Sequence, residues 1–244
     1  MSADVKTVGF VEMKNLEVSD LNVVESALSR LYRHRFPEES LYKRAQVWKV
    51  LCRSWFKLYI PPDSRVLEVA AGYCEFINNI EAAERVAVDL NPEVRDYAAP
   101  SVTVYEVSAE RLLDVVPDSY FDVVFASNFF EHCRSRDQVL TVLHTITNVL
   151  KPHGRLLILG PNFRYCYKEY FDYFDHYLPL TEKSIIEALD MVGLKVELVE
   201  ARTLPFTFRS RLPTWPWLVQ LYLRLHFLWR IFGAQFFIVS RKVG

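Results

Sequence analysis

Three groups of residues in this 244-residue chain have types and spacing that could do chemistry. The first is Glu68-Val69-Ala70-Ala71-Gly72-Tyr73-Cys74-Glu75-Phe76, at the end of the apolar run RVLEVA. A turn of small residues lets backbone approach a ligand closely and leaves a helix N-terminus facing it. With a single glycine, an ordinary strand-to-helix turn fits equally well. The second is Asp89, about 20 residues on, where a carboxylate can accept hydrogen bonds from both hydroxyls of a ribose. Asp89 could instead cap the following helix, a role that Asn91 could share. Turn and acid together point to a ligand containing a nucleoside. The third group is His176 beside Asp175, with His132 after Glu131 as a second candidate base. An imidazole titrates near neutrality and a nearby carboxylate could orient it to take a proton, although a structural histidine bonded to backbone is the alternative. His34, His144, His153 and His226 have no comparable context.

Positioning those groups requires a scaffold, and its pattern is readable. Leu21, Val24, Leu28 and Leu31 repeat at helical spacing after Ser19-Asp20, and a second helix is expected over Glu39–Tyr59, ended by Pro61-Pro62. From Ser64 the texture becomes short apolar runs at 65–70, 85–90, 101–107, 121–127, 154–160, 194–200 and 234–241. Helices are expected between them near 75–82, 92–98, 109–115, 136–150 and 181–192, with Thr181 starting the last and Gly193 stopping it. Strands alternating with helices predict an α/β fold with a mainly parallel sheet covered on both faces. Ligands in such sheets sit at the carboxyl ends of the strands, where the strand order reverses.

Composition narrows the class. At 51% hydrophobic the chain can build a proper core, and 29 basic against 30 acidic residues exclude nucleic-acid binding by bulk electrostatics. Cys52, Cys74, Cys133 and Cys166 show no CxxC pairing, so neither a disulfide framework nor a zinc site is expected and no metal is assigned. No signal peptide or spanning helix is expected, which fits a cytoplasmic protein with reduced thiols.

The chain resembles the class I S-adenosylmethionine-dependent methyltransferases, of the type 11-like kind, over roughly residues 44–200. VLEVAAGYCEF is similar to that family's glycine-rich first motif and VAVDLNPEV to its ribose-binding second strand. SYFDVVFASNFFEHC resembles the fourth strand with its Glu-His pair, and LKPHGRLLILGPN the helix-turn-strand block after it. The resemblance implies a Rossmann-like fold with a seven-stranded, mostly parallel sheet and an N-terminal helical lid. It divides the chain into a helical cap over 1–62 and a methyltransferase domain over 63–244, with acceptor-side insertions at 161–180 and 204–233. It also implies a cofactor map. Glu68, Ala70 and Gly72 line the turn, and Asp89 meets the ribose with Leu90 against the adenine. Ser108 and Ala109 lie at the adenine edge, Asn128 and Phe129 under the methionine portion, while Tyr73 and Phe129 offer aromatic faces to a sulfonium. Ala70 and Cys74 stand where the family has glycines, and Ser108 lacks the usual charge, which puts cofactor affinity in question.

The expected activity is methyl transfer to a small-molecule or lipid/glycan-type acceptor, at a hydroxyl, with S-adenosylhomocysteine as product. GYxEF after the first strand and FDH-LPLT later are similar to a subset of bacterial small-molecule methyltransferases. Two alternatives are a cofactor-binding enzyme that catalyses cyclisation or rearrangement, and a non-catalytic binding protein. The aromatic stretch after the fifth strand suits an acceptor wall. On a helical wheel, Trp215–Phe232 places Gln220, Arg224, His226 and Arg230 on one side of a broad apolar arc. That pattern fits a peripheral membrane contact, a homodimer face, a greasy substrate site, or burial against the chain's own sheet.

Overall fold

The structure, a computed structural model, describes residues 30–31, 34–206 and 215–244. The helix expected over Leu21–Leu31 falls almost wholly outside these residues, as does Pro213. The long helix that follows is α1 (Glu38–Ser54), and it tightens into a 3-10 turn at Phe56–Leu58 before Pro61-Pro62 is reached.

Seven strands then form one sheet: β1 (Arg65–Val69), β2 (Glu84–Asp89), β3 (Thr103–Glu106), β4 (Phe121–Ser127), β5 (Leu150–Pro161), β6 (Leu194–Glu200) and β7 (Gln235–Lys242). Their spatial order is β3-β2-β1-β4-β5-β7-β6. Only β7 runs antiparallel to its neighbours. The strand order therefore reverses between β1 and β4, and a crevice opens at their carboxyl ends. Between the strands lie α2 (Val94–Tyr97), α3 (Arg136–Val149), α4 (Phe163–Cys166), α5 (Glu182–Met191), α6 (Pro216–Arg224) and α7 (His226–Phe232).

Alternation along the strands builds two cores, because successive side chains point to opposite faces. Leu67, Val69, Val124 and Ala126 meet Val139, Leu143 and Ile146 of α3 and Ile185 and Leu189 of α5. Val66, Val123, Phe125 and Phe237 face the other way, onto Trp48, Leu51 and Trp55 of α1 and Leu223 and Trp229 of α6 and α7. This second core is aromatic: Phe76 stacks on Phe125 at 3.9 Å between centroids, and Trp55 lies 5.5 Å from Trp229. Of the expected lid, the described part has the leading end of α1 bordering the cavity, and the remainder of α1 is a core layer.

The helix ends follow their capping residues. Ser135 Oγ accepts from Gln138 N–H at 3.1 Å to open α3, and Thr181 and Ser184 form a capping box at α5. Gly193 takes φ +76, the left-handed turn that stops α5. Three expectations are corrected. The segment 75–82 is a series of turns, because the Glu68 carboxylate takes the Ile77 N–H (3.0 Å) that a regular helix would use. The 109–115 helix is a kinked 3-10 segment, Ala109–Asp114. The Trp215–Phe232 helix is two helices broken at Leu225, whose φ −97 and ψ 73 are not helical. No helix among the described residues is long and apolar enough to cross a membrane.

Candidate active site

A cavity of about 940 Å³ occupies the crevice, walled by the start of α1, the loops after β1, β2 and β4, and the segment after β5. Leaving β1, the backbone takes positive φ at Ala70 (55), Gly72 (52) and Cys74 (55). Only glycine adopts that conformation freely; alanine and cysteine each give up about 1–2 kcal/mol. The turn geometry is therefore kept despite the two replacements. Asp89, at the end of β2, holds it: Oδ2 accepts from Gly72 N–H and Oδ1 from Asn91 N–H, both at 2.7 Å. With Leu90 N–H as a third amide donor, the carboxylate still keeps acceptor capacity for a further donor. Burial pushes the Asp89 carboxyl above its ordinary value, opposed by the amides of Asn91 and Gly72. Burial likewise raises Glu68 well above the usual range. Arg44 of α1 grips Glu75 with two hydrogen bonds, at 3.0 and 2.5 Å, and ties the helix to the turn.

Across the cavity, the chain leaves β4 through Asn128 (φ +48) into a 3-10 turn, Phe130–His132. His132 Nδ1 lies 2.8 Å from the Asp175 carbonyl and 3.2 Å from Asp175 Oδ2, so Nδ1 carries the proton and Nε2 is left as an acceptor. The Arg35 guanidinium bonds the same Asp175 carboxylate. Burial works to raise Asp175, but His132 and Arg35 outweigh it and hold its pKa below the ordinary value. Asp175 therefore orients His132 and not its sequence neighbour His176, which corrects the expected pairing. His176 is buried, stacks on Tyr173 (4.8 Å), and meets the His132 ring edge-on at 5.1 Å. Burial, reinforced by His132, pushes His176 down to about 4. Burial pushes Glu131 up to about 7, with His132 pulling it back. Glu131 Oε1 stands 4.0 Å from His132 Nε2. Trp48 Nε1 and Gln235 Oε1, both on the cavity wall, are buried without a hydrogen-bond partner, which leaves polar atoms for a guest to satisfy.

Residues 67–158 match the sequence model of the family described as Methyltransferase domain. An S-adenosylmethionine-dependent methyltransferase from Archaeoglobus fulgidus shares the fold at a TM-score of 0.61 and 20% identity, over 82% of this chain and 94% of its own. The chain has the Rossmann-like class I methyltransferase fold. A Haloferax volcanii chain in complex with the Trm112 methyltransferase activator shares the methyltransferase fold at TM-score 0.62 and 12% identity, over 92% of this chain and 98% of its own. So does the N-methyltransferase NodS of Bradyrhizobium japonicum, at TM-score 0.53 and 10% identity, over 94% and 100%. No curated protein matches the chain in sequence.

Every residue singled out from the sequence as cofactor-binding or catalytic lines this same cavity. Leu90, 41% exposed, forms its rim. Tyr73 packs edge-on against Tyr97 (4.6 Å) and Phe36 (5.8 Å). Ser108 and Ala109 sit at the wall, and the carboxylate missing at Ser108 stands two residues later as Glu110, which accepts from Gln138 at 2.5 Å. Asn128 and Phe129 border the cavity below β4. Arg35, Trp48 and Gln235 escaped the sequence reading, since each lies on an element far along the chain with no motif of its own.

Glu131 and His176 oppose each other in a pH titration of the metal-free protein. A carboxyl whose folded pKa is raised makes the fold more stable as pH falls from about 7, as for Glu131. An imidazole whose folded pKa is depressed to about 4 makes the fold less stable as pH falls below its ordinary value, as for His176. The Glu131 and His176 contributions should therefore largely cancel between pH 6.5 and 4.5. Glu131→Gln should uncover the His176 slope, a loss approaching ~1.4 kcal/mol per pH unit on acidification. Denaturant midpoints at several pH values check it, and parallel profiles for both proteins would contradict the assignment.

Proposed function

We propose that this protein binds S-adenosylmethionine in the crevice between β1 and β4 and methylates a hydroxyl of a small-molecule or lipid/glycan-type acceptor. The supporting observation is Asp89, a buried carboxylate that holds the Gly72 turn and keeps acceptor capacity, in one cavity with a carboxylate-oriented histidine. When bound, S-adenosylmethionine supplies an electrophilic methyl group on a cationic sulfur. Glu68, Asp89 and Glu131 line the cavity, and a bound cation would favour their ionised forms. The acceptor oxygen forms the new bond to the methyl carbon as the carbon–sulfur bond breaks and its electron pair stays on sulfur. The Glu131–His132–His176 cluster handles the proton: His132 Nε2 is placed to take it, and Asp175 steadies the imidazolium. Tyr173, His176 and Phe206 wall this end with rings and exclude water from it. A lipid-type acceptor is favoured by the α6–α7 surface, where Trp215, Trp217, Phe227 and Ile231 are each about 60% exposed.

Asp89→Ala should weaken S-adenosylmethionine binding by about 1.5–3 kcal/mol, roughly 10- to 150-fold, through loss of charge-assisted bonds to ribose. Calorimetry on protein shown to be folded reads this directly. Equal affinity for Asp89→Ala and wild type would overturn the placement of the cofactor.

A further inference from the structure

We infer that Glu131, His132 and His176 bind one divalent transition-metal cation, of the zinc, manganese, iron or cobalt type, at the acceptor end of the cavity. Each of the three offers a ligand atom, and these atoms all lie within 4.8 Å of one another. Metal–ligand bonds of about 2.0–2.2 Å bring such atoms to roughly 3–3.5 Å apart, so modest side-chain rotations close the site.

Three further observations point the same way. His132 donates Nδ1–H to Asp175, which fixes the tautomer and leaves Nε2 free, and Arg35 anchors Asp175 in turn. A carboxylate behind an imidazole is the usual outer support of a metal-bound histidine. His176 is only 8% exposed and its Nδ1 has no hydrogen-bond partner. Glu131 is 3% exposed; its carboxylate accepts from its own backbone N–H and stands 4.0 Å from His132 Nε2. Buried polar groups short of partners are costly, and a cation among them would satisfy carboxylate and imidazole together. One carboxylate with two imidazoles suits first-row transition cations and not magnesium or calcium, which take oxygen ligands. Three protein ligands leave coordination positions open.

The consequence for chemistry rests on the methyl-transfer reading above. With the acceptor hydroxyl on an open position, the cation lowers its pKa and the proton leaves to solvent water. The oxygen then attacks the methyl carbon, and the carbon–sulfur bond breaks with its electron pair on sulfur. Nε2 takes the proton only in the metal-free form; with the cation bound, His132 is a ligand and the proton leaves to solvent.

The test uses the full chain, freed of metal with a chelator and titrated with Co²⁺ by visible absorption, with Zn²⁺ and Mg²⁺ compared by calorimetry. One Co²⁺ per chain is expected, without a strong thiolate charge-transfer band, and Mg²⁺ should give no saturable heat. Glu131→Gln and His176→Ala should each abolish saturable Co²⁺ binding, and Asp175→Asn should weaken it about 10- to 100-fold. Absence of saturable Co²⁺ binding in the wild type, or unchanged binding in folded Glu131→Gln and His176→Ala, overturns the inference. S-adenosylhomocysteine is titrated separately on the same samples. Its binding without Co²⁺ removes only the metal site, and Co²⁺ binding without it removes only the methyl-donor reading.

Discussion

His132→Gln is expected to lower methyl-transfer turnover about 10²- to 10⁴-fold, the usual worth of a positioned proton-transfer group. S-adenosylmethionine affinity should stay near that of the wild type, because the turn around Gly72 and Asp89 belongs to other loops. The expectation follows from orientation. His132 has its Nδ1 fixed by two oxygens of Asp175 and presents Nε2 to the cavity, whereas among the described residues no carboxylate bonds the His176 ring. Formation of S-adenosylhomocysteine over a panel of hydroxylated acceptors supplies the assay. The pH–rate profile supplies the readout that a merely structural histidine would not move. If His132 acts as a base, His176→Gln retains most of the turnover. If it acts as a metal ligand, both variants lose turnover together with Co²⁺ binding. An unchanged profile in His132→Gln would remove His132 from the chemistry altogether.

The difference between His132 and His176 marks a limit of reading from sequence. Asp175 adjoins His176 along the chain, and adjacency suggested a pair. Consecutive residues project in different directions, however, and here the carboxylate turns towards β4 and meets a histidine 43 positions away. The cofactor end was more legible, because turn, acid and strand follow one another over about 20 residues, as dinucleotide-type sites do. Strand alternation and the caps at Ser135 and Thr181 were legible for the same reason: their causes are local. The cluster of Glu131, His132 and His176 was not, since its members come from two loops with no metal-like spacing. Nor does anything in the run AQFFIVSR show that β7 inserts antiparallel between β5 and β6; the resemblance implied only a mostly parallel sheet.

The α6–α7 region yields the other large effect, and it separates two tryptophans that composition alone treats alike. Trp229→Ala should destabilise the protein by about 3–5 kcal/mol, the range for truncating a buried aromatic side chain. Trp217→Ala should stay within about 0.5 kcal/mol, as substitutions at exposed positions do. Read as one continuous helix, both belong to a single apolar arc meeting an outside surface. The break at Leu225 changes the phase, so α7 turns Trp229 inward while Trp217 stays out at 60% exposure. Trp229 packs 5.5 Å from Trp55, and its indole N–H donates to the Tyr222 carbonyl at 3.1 Å. Truncation there leaves a void beside Trp55 and removes the indole bond to the Tyr222 carbonyl, which keeps the Leu225 N–H at 3.2 Å. Arg224 and Arg230 remain exposed, so inward packing of Trp229 buries neither charge. Denaturant unfolding of the two variants measures the contrast. Equal losses would mean that α7 does not close the aromatic core, and the arc would again have to be treated as one outward face.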